Sequence, residues 1–446
     1  MSFRRGMRVL RWIAVVFVLI VVFFLFGLPA LLSTEGGRNK LASVLGDAID
    51  REVGIGGLDV GFLFGSVDLE ELSIGNPKGF PKGRMLEARR VHLDASLRRL
   101  LAGSIEGTME ASGVELHVLV KDGRTNLDGL GGSDEKEKDE KEKGEAPDLH
   151  LVVRLTDSRV TLEDLDKKEK VVVDGVDVDF VLSNRGGEAN SRLTVHIDAI
   201  DQKTLRLHDI RLDAFQQEGL IRIRELSAEI ANKGRVVGSA QLSDGDAWQA
   251  SLRLVSVDID EPMQPFVAAL YPPAAAQGGP LAGTLDGEFN ISGRGLTWEE
   301  IRPTLEGTGE VKLSSLNLPA GSLISMLALA AGRGDGPVGL NDAGARFDIK
   351  DGWITFHRLS ASGEQVRYDL SGRVSLTGDL DLKVDLKPAA LRYGGGQFEK
   401  YLKYVDKLDF RIKGNTDNPK LRPPKLDDLL RDAAGGALGD LLDRLK

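Results

Sequence analysis

The chain is predicted to be mainly β: a long curved antiparallel sheet forming a groove, with one N-terminal transmembrane helix and a few short helices. Three observations predict it. From Gln365 to Pro388 the apolar residues Val366, Tyr368, Leu370, Val374, Leu376, Leu380, Leu382, Val384 and Leu386 fall on even positions, with Arg367, Asp369, Arg373, Asp381 and Lys383 between them. That period of two is a strand with one greasy and one wet face. Segments of the same texture recur about twenty times along the chain, divided by short breaks bearing Asn, Asp, Gly or Ser. Residues 12 to 32, by contrast, are apolar throughout.

Composition bounds the function classes. Hydrophobic residues make up 41% of the 446, enough to form a core and exclude general disorder. The formal charge is -10, and leaving out Arg4, Arg5, Arg8 and Arg11 gives -10 - 4 = -14 for the rest, which argues against a nucleic-acid partner. The absence of cysteine excludes disulfides, thiolate catalysis and Cys-based zinc sites.

Taken in order, residues 1–11 form a basic tail and 12–32, WIAVVFVLIVVFFLFGLPALL, a span long enough for the roughly 20 residues a bilayer requires. The preceding arginines hold the N-terminus in the cytoplasm. A cleaved signal peptide is the competing reading, but PALLSTEGG is a poor cleavage site, so an uncleaved signal anchor is expected. Leu41, Val44, Leu45, Ala48 and Ile49 then mark an amphipathic helix over 36 to 51. Strands follow within the region 33–132, before a charged linker or loop at 133–147 that includes ten consecutive charged residues. Residues 148–260 read as a meander of hairpins and 261–422 as a second strand region. Within that region helices are expected from Gln264 to Leu270 and at GSLISMLALAAGRG, the latter covering a sheet face or touching lipid. Residues 423–446 carry Leu426, Leu430, Ala433, Leu438, Leu441 and Leu445 on one face of a C-terminal amphipathic helix.

Catalytic motifs are missing. No histidine pair has the HExxH spacing, and there is neither a phosphate-binding Gly-rich loop nor a nucleophile elbow. His150, His196, His208 and His357 fall out of phase with their apolar neighbours and are expected on the wet face, as are His92 and His117. No enzyme, cofactor or metal site is expected.

Two stretches resemble the AsmA family of bacterial envelope proteins. The first combines the single span, the short helix, VDLEELSIGNPKGF, VHLDASLRRLLAGSIE and GVELHVLVKDGRTNLDGL, ending in Asn126, Leu127 and Leu130; Leu127 stands where many relatives have Trp. The second runs from residue 342 to about 422, through Asp351-Gly352 and the even-phase strands to Asn418-Pro419. The resemblance implies an inner-membrane protein with its bulk in the periplasm, a curved β-groove, and a role in phospholipid transport or outer-membrane homeostasis. The lipid-groove candidates are Val366, Leu370, Val374, Leu376, Leu380, Leu382, Val384 and Leu386. The expected partners are phospholipid and the inner membrane, with outer-membrane or envelope proteins reached through the C-terminal helix. Alternation alone leaves a two-sheet sandwich open, and a scaffold recruiting outer-membrane proteins by strand addition is the alternative function.

Overall fold

A computed structural model describes residues 35–61, 65–96, 99, 104–128, 148–185, 188–202, 206–217, 219–230, 234–243, 246–259, 263, 267, 281–295, 297–318, 338–363, 367–386, 408–415 and 418–422. The expected membrane span, the charged run, the apolar helix at 321–334 and the C-terminal helix lie outside them, as does all but Val267 of the helix from Gln264 to Leu270. Among the described residues no helix is long and apolar enough to cross a membrane.

The described chain is mainly β and falls into two compact units, 1–229 with 241–244, and 230–240 with 245–446. The first opens with α1 (Glu35–Ile49), β1 (Val53–Gly54) and β2 (Gly57–Gly61), continues through β3 (Ser66–Gly75), β4 (Arg84–Ala95), β5 (Ile105–Lys121) and β6 (Arg124–Thr125), and then β7 (Leu149–Asp164), β8 (Glu169–Arg185), β9 (Glu188–Gln202), β10 (Arg206–Gln217) and β11 (Leu220–Ile230). β1 and β2 both pair with β3, and from there the lateral order is β3, β4, β5, β7, β8, β9, β10.

One joint corrects the expectation of a purely antiparallel sheet. β5 and β7 run parallel, Ile105 opposite Leu149 through to Val120 opposite Asp164. The connection between them therefore returns the full length of β5, about 50 Å at 3.3 Å per residue. The charged run falls within this connection, so the strands on either side of it belong to one sheet. Alternation does not encode direction, because parallel and antiparallel neighbours present the same period.

The Asp122-Gly123 turn after β5 has positive φ at both residues, 51° and 70°, which glycine adopts freely and aspartate tolerates. Beyond it Asn126 is fully buried. Its side-chain oxygen accepts the Leu119 N–H at 2.9 Å, and its amide donates to His117 O at 2.7 Å and to Asn76 Oδ1 at 2.8 Å. Asn126 thus locks the end of β5 to the β3–β4 loop. Asn126→Ala removes all three bonds and strips the Leu119 N–H of this acceptor, and a loss of about 2–3 kcal/mol is expected in urea unfolding. A midpoint equal to that of the unsubstituted protein would refute this anchoring.

The second unit carries β12 (Gly234–Leu242), β13 (Ala247–Asp258), β14 (Ala282–Arg294), the one-turn α2 (Trp298–Ile301), β15 (Glu306–Leu318), β16 (Val338–Lys350), β17 (Trp353–Ser362), β18 (Arg367–Ser375), β19 (Asp379–Leu386), β20 (Leu408–Asn415) and β21 (Asn418–Arg422). From β13 to β21 each strand pairs antiparallel with the next. β21 begins at Asn418-Pro419, where the sequence suggests only the end of the last strand. Short strands sit at the described margins: β2 has five residues, and β21 has five including Pro419, Lys420 and Arg422. Such margins are poor templates for strand addition.

Candidate functional site

Registers in the first unit align apolar residues into rows that cross the sheet. One row reads Leu58, Leu69, Val91, Ala111, Leu155, Val178, Val195 and Leu212, and the next Val60, Val67, Leu93, Met109, Val153, Phe180, Leu193 and Ala214. A third, farther along the strands, reads Ile74, Leu86, Leu116, Val160, Val173, Ile200 and Leu207. Between the first two, on the opposite face, Asp59, Asp68, His92, Glu110, Arg154, Asp179, Thr194 and Asp213 form a polar row. His92 pairs with Asp68 at 2.9 Å and Arg154 with Glu110 at 2.8 Å.

The rows stay aligned through a line of kinks, across which the pairing register holds in every joint but β7–β8. Glu71, Gly113, Asp157, Gly175 and Asp209 adopt positive φ in the middle of β3, β5, β7, β8 and β10. At each of them the apolar phase moves by one residue. In β3, Val67 and Leu69 give way to Leu72 and Ile74; in β7, Leu151, Val153 and Leu155 give way to Val160 and Leu162. The slip in β4 comes at Arg89, whose guanidinium pairs with Asp157 at 2.6 Å. Because neighbouring strands slip together, the apolar residues stay on one face, and the strands bend where they do so. The sequence shows near-alternation here, and only the registers reveal that neighbouring strands change phase at the same place.

Cover over this face is uneven. α1 lays Leu41, 1% exposed, against Leu69, Val91 and Leu93, with Leu45 packed alongside, while Val44 of the expected apolar stripe is exposed on its flank. On β7 to β10 the cover is thinner: Leu151, Val176, Ile210 and Ala214 are buried, but Val153, Leu155, Val178, Phe180, Leu193, Val195 and Leu212 are only half-buried, as is the whole third row.

Five of the sequence-predicted candidates occupy the apolar face of the second unit. Leu370, Val374, Leu380, Leu382 and Val384 are buried, at 0–4% exposure. They sit in rows with Phe356, Leu359, Phe410 and Ile412. Leu376 lies half-buried in the turn between β18 and β19, Leu386 pairs with Tyr368 and Leu408, and Val366 is outside the described residues. The row through Leu382 continues as Gly372, Phe356, Phe347, Gly309 and Phe289. Phe347 is fully buried, 5.7 Å from the Phe356 ring and 6.3 Å from that of Phe289, and a Cβ at Gly309 would overlap it.

The polar faces offer ion pairs. His196 lies 3.2 Å from Asp209, and His357 lies 2.5 Å from Asp348. Burial pushes the Asp209 carboxyl up, but Arg211 and His196 outweigh it and hold that carboxyl below its ordinary value. Among the described residues no group of three or more His, Cys, Asp or Glu could hold a metal ion. The chain matches no protein-family model and no curated protein.

Proposed function

We propose that the chain is a non-catalytic, AsmA-like envelope protein, anchored in the inner membrane by residues 12–32, that holds phospholipid acyl chains against the apolar rows of its first unit. The observation that carries this reading is the half-buried state of those rows on β7 to β10. Apolar area left in water costs about 25 cal/mol per Å², and acyl chains remove it without demanding hydrogen bonds. The four strands β7 to β10, three steps of about 4.8 Å, give a thinly covered width of roughly 14 Å, ample for an acyl chain. The resemblance of residues 8 to 130 and 342 to 422 supports the envelope setting. Scaffolding by strand addition is less favoured, because the described margins are short and carry proline and charge.

Photocrosslinking in intact cells tests the proposal. A probe at Phe180 should capture labelled phospholipid, and one at Asp179, its outward neighbour, should not. Leu382, buried within the second unit, should capture less than Phe180. Folded protein that captures lipid at neither Phe180 nor Leu382 would remove lipid binding as the function.

A further inference from the structure

Three of the four tryptophans, Trp248, Trp298 and Trp353, lie at one end of the second unit's sheet. Trp248 opposes Gly293 at the start of β13, Trp298 opens α2 between β14 and β15, and Trp353 opposes Lys350 and Ser375 at the start of β17. From β13 to β17 is four inter-strand steps, about 19 Å.

The three rings are held differently. The Trp248 indole N–H donates to Gly295 O at 3.2 Å, and the Arg373 guanidinium stacks over Trp353 at 4.3 Å. Trp298 is 53% exposed on a helix whose capping box, Thr297 with Glu300, fixes its position. Trp248 shares the apolar face with Leu252, Trp353 lies on the opposite face from buried Ile354, and Trp298 lies in the connection from β14 to β15. The aromatic groups therefore mark an end of the sheet and not one of its faces.

Tryptophan has a large apolar ring with one polar edge, which suits the boundary between water and lipid. The charges here nearly balance: Asp246, Glu299, Glu300, Glu306 and Asp351 stand against Arg294, Arg302, Lys350 and Arg373. A balanced rim has no net attraction to an anionic surface. We propose that this end of the second unit docks on a zwitterionic phospholipid surface, with Trp298 entering the headgroup region. The inference rests on the rim alone and holds whatever occupies the rows of the first unit.

The test uses the full chain in nanodiscs, mixed with phosphatidylcholine and phosphatidylethanolamine vesicles whose acyl chains carry bromine, and in parallel with anionic phosphatidylglycerol vesicles. Wild type should float with the zwitterionic vesicles and show quenched tryptophan fluorescence. Trp298→Ser should lower the floated fraction about fivefold, whereas Trp298→Phe should keep most of it while losing most of the quenching. Val195→Asp, in the first unit, should float as wild type, which separates a failure here from a failure of the lipid-holding proposal. Trp298→Ser floating as wild type, unquenched fluorescence, or flotation confined to the anionic vesicles would each overturn the docking proposal.

Discussion

Val195→Asp should reduce retention of a fluorescent phospholipid by about 30- to 100-fold. Val195 lies mid-row between Val178 and Leu212 and is half-buried, so an aspartate there stays hydrated in the empty protein and the fold tolerates it. When acyl chains arrive, that carboxylate must lose water or take a proton, at about 2–3 kcal/mol, and each 1.4 kcal/mol is roughly tenfold in affinity. Thr194→Lys is the matched control. Thr194 stands on the polar row between Asp179 and Asp213, where a lysine finds partners and lipid does not reach. Equal retention by both variants, with unchanged circular dichroism, would show that this face does not hold the lipid.

Phe347→Ala should cost the second unit about 3–5 kcal/mol, the range for emptying a buried aromatic site. The ring is fully buried, contacts Phe289 and Phe356, and fills the space that Gly309 leaves across the strand. Gly309→Ala should by itself cost about 1–3 kcal/mol, because its methyl meets that ring, and close to nothing in the Phe347→Ala background. All three described tryptophans lie in this unit, so their fluorescence in a urea titration reads its unfolding directly. Additive losses would mean that the two positions are not packed together.

Much of this architecture is legible in the residues. The apolar spacing over 36 to 51 matches α1, and the Asp-Gly pairs at 122–123 and 351–352 are turns with positive φ. Three properties are hidden. The parallel joint is invisible because strand direction leaves no trace in alternation. The alignment of the kinks is invisible because each strand alone shows only a break in its alternation. The degree of cover is invisible because phase tells which way a side chain faces and not what lies over it. Hence the cleanest alternation, around Leu380, Leu382 and Val384, belongs to residues at most 4% exposed, while the less regular strands around Phe180 and Val195 carry the half-buried rows.

The parallel joint also bears on how the chain is made. The residues of β5 that pair with β7 each wait for a partner 44 positions later, as 149 - 105 and 164 - 120 both give. At roughly 5–20 residues per second of synthesis, that is an interval of about 2–9 seconds. Throughout it one edge of β5 has no native neighbour, while β3 and β4 can already zip against its other side. Mispairing and chaperone capture during biogenesis should therefore concentrate on the Ile105–Lys121 edge, with the arrival of Leu149–Asp164 ending that vulnerability.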